Sequence, residues 1–216
     1  MKFSITKISK QTLTYKKRAK LSTRIERDFS FQAGVHFEGN FIMNVYNLTL
    51  AMEVDTLSIV EQNIAMDRII YFLEDTLANS VFVQDTEKKA IEKYTQADIK
   101  VCTVPEEPYD QIITILLLLK LNNITEGRLN ITDIFLESEL SDSVRFSYDI
   151  ETASHNPFGN KGWWLEASTS MNDIEKSTKK EKIVRLIKHT DWANVGLEWE
   201  KKAKASEIIF TTDSDK

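Results

Sequence analysis

Residues 112–121, IITILLLLKL, constrain this chain more than any other stretch, because only Thr114 and Lys120 interrupt an otherwise apolar run. A helix built from such a segment is apolar on every side and has to be covered on every side. A single sheet with helices on one face would leave its outer surface wet. A second cover is therefore needed, either from the C-terminal part of the chain or from another subunit. The longest unbroken apolar run, Ile115 to Leu119, is far shorter than the roughly twenty residues that a membrane-spanning helix needs. Pro108 suits the first turn of this helix, and Asn122 and Asn123 suit its end.

The flanking segments set the class. Phe29 and Phe31 alternate, Glu38-Gly39-Asn40 has turn chemistry, and residues 41–54 are rich in β-branched, aromatic and long apolar side chains, so 29–54 reads as a hairpin. Phe41, Met43 and Val45 are out of phase with Leu48 and Leu50, which a bulge near Asn47 would reconcile. Ser58 and Glu61 have the spacing of a capping box. The helix they open carries Met66, Ile69, Ile70, Leu73 and Leu77 on one stripe, with Asp67, Arg68, Glu74 and Asp75 on the other side. Residues 80–83 and 99–104 read as short extended pieces, with a polar helix or loop over 85–93. Residues 127–150 form a second hairpin, turning at Ser141-Asp142-Ser143. The main order over 29–150 is strand, strand, helix, helix, strand, strand. That order predicts an α+β fold, an antiparallel β-sheet with two helices packed on one face.

With 216 residues the chain has room for one substantial core and an elaborated terminus. Three regions are expected: basic N-terminal strands over 1–28, the core over 29–150, and a C-terminal extension over 151–216 that packs on the core and ends in a disordered tail. Phe3, Ile5, Leu13 and Tyr15 alternate in the first region, and all four tryptophans, Trp163, Trp164, Trp192 and Trp199, lie in the third. Packing over the core explains those tryptophans, with a ligand-stacking platform as the alternative. Cys102 is the only cysteine, so there is neither an internal disulfide nor a thiolate zinc cluster. The first ten residues lack the apolar core of a signal peptide, and a cytoplasmic location is expected.

Residues 1–28 carry nine Lys and Arg against two acids on a chain whose overall net charge is −5. A basic segment on an acidic body is able to touch phosphates. Lysines that guard an edge strand explain the same charges, and no aromatic interleaving or RNA-binding motif accompanies them. Glycine-rich phosphate loops, HExxH, GxSxG and paired CxxC motifs are all missing.

The strand and helix order resembles the tunnelling fold of the 6-pyruvoyl- and 6-carboxy-tetrahydropterin synthases, and three stretches within 29–150 add to that resemblance. FSFQAGVH, residues 29–36, is similar to the family's first strand, which ends in a metal-binding histidine, and implies that role for His36. LEDTLAN, residues 73–79, is similar to the stretch that closes the family's first long helix. LESELSDSVRFSY, residues 136–148, resembles its last hairpin, where a glutamate anchors the pterin ring. Glu137 stands at that place.

The family's second strand opens on His-Gly-His, whereas this chain reads EGNFIMNVY from Glu38. Glu74 and Asp75 replace its Asp-His pair, and its catalytic cysteine has no counterpart. The resemblance therefore implies no zinc, no cofactor and no assignable catalytic residue, but leaves Glu137 and His36 as ligand-binding candidates. Against these roles, Glu137 also fits a solvated or salt-bridged carboxylate, His36 a hydrogen-bonded strand residue, and Cys102 a buried apolar one. Glu106, Glu107 and Asp110 suit the electropositive start of a helix. The leading expectation is a non-catalytic assembly or interaction protein that forms homo-oligomers. Two alternatives are a zinc-free binder or enzyme acting on a pterin- or purine-like heterocycle held by Glu137 at a subunit interface, and a nucleic-acid-associated protein acting through residues 10–27.

Overall fold

The computed structural model describes residues 23–54, 58–142, 144–153, 156–172 and 191–199. Of the expected basic N-terminal strands over 1–28, residues 1–22 lie outside those residues, as does the expected disordered tail, while residues 23–28 belong to the first long strand. The described chain runs β1 (Thr23–Phe37), β2 (Asn40–Val54), α1 (Ile59–Ile70), β3 (Ser80–Gln84), α2 (Lys88–Gln96), β4 (Lys100–Val104), α3 (Asp110–Thr125), β5 (Leu129–Ser138), β6 (Arg145–Asp149) and a single turn, α4 (Ile150–Ala153). The six strands form one sheet in the order β4-β3-β1-β2-β5-β6.

The α+β class holds, with one amendment. β1, β2, β5 and β6 are antiparallel neighbours, but β3 runs parallel to β1 and β4 parallel to β3, so the sheet is mixed. The cause is covalent: β3 and β4 are joined through α2, and a helical crossover returns the chain in the same direction. α1 and α3 share the main core with Phe31, Tyr46, Leu48, Leu50 and Leu136. α2 instead packs Ala90, Ile91 and Tyr94 on Val81, Val83 and Val101, in a second cluster. Residues alternate across a strand, so α2 covers the opposite face from α1 and α3.

The first hairpin turns in two residues, Glu38 (φ +49°) and Gly39 (φ +79°), the pair of positive φ angles that a primed hairpin turn requires. Its register is unbroken from Thr23–Val54 to Phe37–Asn40, so there is no bulge near Asn47. Asn44, Tyr46, Leu48, Leu50 and Met52 form a single buried phase, and Phe41 and Met43 belong to the other face. The register shift lies further along, between β2 and β5 at Ala51 and Met52. The second hairpin closes through a 3-10 turn at Glu139–Ser141 and a left-handed Asp142, a longer connection than the three-residue turn expected.

Ser58 caps α1 as its spacing predicts, its hydroxyl accepting from the Glu61 N–H at 3.3 Å. Beyond Ile70 the helix widens to a π-helical segment, Tyr71–Leu77, which brings Phe72 into the core beside Leu73 and Leu77. Lys100 Nζ, from β4, donates to the carbonyls of Asp75 (2.8 Å) and Thr76 (3.3 Å) and satisfies this end of the helix. Arg68, expected on the exposed side, is only 2% exposed. Its guanidinium stacks 3.8 Å from the Trp199 ring centre and donates to the carbonyls of Leu197 and Ile124 and to the Glu126 carboxylate.

α3 is longer than its apolar stretch suggests. Tyr109, not Pro108, is its N-cap residue, and Asn122 and Asn123 lie inside the helix, donating back to the Leu118 and Leu119 carbonyls. Left-handed Glu126 and Gly127 end it. Its inner side meets the sheet, and its outer side is covered by the 3-10 turn Trp163–Leu165. Lys120 Nζ donates 3.0 Å bonds to the carbonyls of Trp163 and Glu166, and Trp163 Nε1 donates to the Thr103 carbonyl at 2.7 Å. Of the two covers that such a helix allows, the C-terminal chain supplies one.

Candidate functional site

A pocket of about 590 Å³ opens on the helix-bearing side of the sheet, beyond the N-terminus of α3. Strand alternation floors it: Val35 and Phe37 from β1, Ile42 and Asn44 from β2 and Phe146 from β6 all face this side. Pro108, Tyr109 and Asp110 from the start of α3 form one wall, and Leu140, Ser141 and Val144 from the second hairpin form another. Tyr109, Leu140 and Val144 are half-exposed, and Phe37 and Tyr109 meet edge-to-face with ring centres 5.3 Å apart. This volume lies in the range of small-molecule sites, as does the mix of apolar wall and few polar groups.

Two of those polar groups stand out. Asn44 is 3% exposed, and its Oδ1 accepts from the backbone N–H of Val45 (2.9 Å) and Leu140 (3.3 Å). These bonds fix the amide orientation and leave Nδ2 buried without a close hydrogen bond, in the neighbourhood of the Tyr46 hydroxyl. That hydroxyl is likewise buried without a close hydrogen bond. Burial drives the Tyr46 pKa up, the Asn44 amide opposes that rise, and Asp110 adds to it, so all three share one neighbourhood. A buried unmatched donor is costly, and native structures carry few.

Asp110 is the second group. Its Oδ2 accepts a 2.6 Å bond from the Ser138 hydroxyl, and its backbone carbonyl accepts from Thr114. Burial raises its pKa, with the Ser138 and Ser141 hydroxyls working against that rise. Among the described residues no lysine, arginine or histidine lines the pocket.

The residues proposed from sequence lie elsewhere. Glu137 is on the opposite face of the sheet, on the row Ser30, Asn47, Glu137, and its carboxylate sits 3.8 Å from Arg145 Nε. His36 is on that same face, its Nδ1 3.0 Å from the Tyr94 hydroxyl of α2. Six residues of β1 separate His36 from the Glu137 row, about 20 Å along the strand. One chain therefore does not bring the two together.

Nor do the residues around His36 fit a three-histidine zinc site: Phe41 faces it across the hairpin, and the turn beside it is Glu38-Gly39-Asn40. Among the described residues no three His, Cys, Asp or Glu side chains are grouped to hold a metal ion. His155 and His189 lie outside those residues. Cys102 is fully buried, and that burial pushes its thiol pKa up, away from nucleophilic use. Glu74 and Asp75 are exposed.

Asn44 and Asp110 were the residues that sequence reasoning missed as a site. Asn44 did leave a signal, as the one polar residue on the apolar phase Asn44, Tyr46, Leu48, Leu50. Asp110 left none, because an acid at a helix start is ordinary.

No family model matches the chain, and no curated protein sequence does. Solved structures with a similar course of chain include an uncharacterized protein of Wolinella succinogenes, 11% identical with a TM-score of 0.40, covering 60% of this chain and 98% of that one. Another is 6-pyruvoyl tetrahydropterin synthase of Caenorhabditis elegans, 15% identical with a TM-score of 0.39, covering 60% and 96%. A third is the Plasmodium vivax protein of that name, at 11% and 0.39, covering 59% and 97%. The likeness is one of overall course, over about three fifths of the chain.

Proposed function

We propose that this protein is a binding and assembly module, not a catalyst, and that its working site is the pocket between the start of α3 and the second hairpin. The observation that carries this reading is the open cavity itself, where the Asp110 carboxylate meets apolar and aromatic walls. A ligand seated there would take water from the half-exposed Tyr109, Leu140 and Val144. Among the described residues the lining offers one carboxylate, the Asn44 and Gln111 amides and the Tyr109 and Ser141 hydroxyls, with no imidazole or cation, which suits holding a molecule better than transforming it. The test is a fragment screen on the full chain by ligand-observed NMR, repeated with Val144→Trp. Binding lost in this pocket-filling variant, at unchanged far-UV circular dichroism, supports the site. Hits that bind the variant equally well refute it.

A second reading is supported by the sheet's edges and by Glu137. Among the described residues, β6 has a strand on one side only, and β1 meets β3 only at Gly34 and Val35. Copies joining edge to edge would bury these rows and bring Glu137 of one copy towards a neighbour, forming an interfacial site for a pterin- or purine-like heterocycle. Light scattering at the mass of one 24.9 kDa chain would dismiss it. So would a Glu137→Ala variant that binds every such heterocycle as the parent does.

A further inference from the structure

We propose that the pocket takes a small organic cation, a protonated amine carried on an aromatic or aliphatic body, whose ammonium group pairs with Asp110. This rests on the pocket being the binding site and goes on to name the chemistry of its ligand.

The geometry carries the argument. Asp110 stands in the wall of a cavity whose other sides are mainly apolar and aromatic, with the Asn44 and Gln111 amides and the Tyr109 and Ser141 hydroxyls as the other polar groups. Its carboxylate meets a serine hydroxyl, and no cation of the described chain lines the space around it. A carboxylate facing an apolar cavity with only hydroxyl partners is short of positive charge, and a bound ammonium supplies it. The aromatic rings of Phe37, Tyr109 and Phe146 are the surfaces over which a desolvated cation is further stabilised. An anionic ligand would instead meet Asp110 at close range, and a purely apolar one would bury that carboxylate further without supplying positive charge.

The experiment uses two probes of the same shape on the full chain, 2-phenylethylammonium and 2-phenylethanol, with affinities read by isothermal titration calorimetry or ligand-observed NMR. The ammonium is expected to bind at least about tenfold more tightly than the alcohol, as suits a charge-assisted bond over a neutral one. Asp110→Asn keeps the side chain's size and its bond from Ser138 and is expected to erase the preference. Val144→Trp is expected to remove binding of both probes.

Equal affinities for ammonium and alcohol, both lost in Val144→Trp, would overturn the cation and leave the pocket standing. An ammonium preference that survives in Asp110→Asn would overturn Asp110 as the anchor. No binding of either probe at millimolar concentration would overturn the cation and count against the pocket itself.

Discussion

Asp110 sits where the start of α3 favours negative charge, yet the same position places its carboxylate against an apolar cavity. The second effect outweighs the first, because burial raises its pKa despite two serine hydroxyls. The consequence for stability has a definite sign. A carboxyl whose pKa is higher in the folded chain than in the unfolded one is held preferentially in its neutral form. Stability therefore falls as pH rises from the unfolded value through the folded one, and the full penalty is present at neutral pH. Asp110→Asn is expected to raise Tm at neutral pH, with the gain shrinking as the solution is acidified below the carboxyl's range. Thermal melts of both proteins across that range read it directly. Arg68 makes the opposite point. Its sequence position sets it among acids on the outward side of α1, and only the tryptophans docked over it make that side an interior.

At the scale of elements, α3 is the member that both layers share. Its inner side lies on the sheet, and Lys120 on its outer side holds two carbonyls of the 163–166 segment. Lys120→Met keeps the apolar stem and removes the donor, leaving those carbonyls unmatched under a buried turn, a loss of about 2–4 kcal/mol by chemical denaturation. That α3 would be buried all round was legible from its ten residues, because the absence of a polar face admits no other outcome. Which segment covers it was not, since two covers satisfy the same composition. The hairpins were legible from alternation and turn residues. The parallel β3-α2-β4 unit was visible only as pieces, because five-residue strands such as Ser80–Gln84 carry too little pattern to announce their direction. The phase of β2 misled for a physical reason: its outer face is also apolar at Phe41 and Met43, with Phe41 near Tyr94 of α2, so alternation had no polar contrast there.

For the whole molecule, the sheet is dressed unequally. α1, α3 and the tryptophan-bearing turns stack on one face, α2 covers one end of the other, and the rest of that second face is mixed, with the polar row Ser30, Asn47 and Glu137 beside an exposed Met43. The C-terminal chain also closes the β4 edge, where Met171 accepts from the Thr103 N–H at 3.2 Å and the Asn172 amide donates to the Val101 carbonyl. The candidate pocket was the least legible feature, because it depends on residues from β1, β2, α3 and β6 that meet only once the sheet is assembled.

The placement of Trp163, Trp164, Trp192 and Trp199 also makes the protein its own spectroscopic reporter. Every indole lies in the C-terminal layer and none on the sheet, so tryptophan emission observes that layer while far-UV circular dichroism observes mainly the strands and helices beneath it. Trp163 belongs to the same core cluster as Leu50 and Leu136, and in the parent protein the two signals are expected to change at one denaturant concentration. In Lys120→Met the emission is expected to shift to the red first, so a single titration followed in both channels separates loss of the outer layer from loss of the sheet.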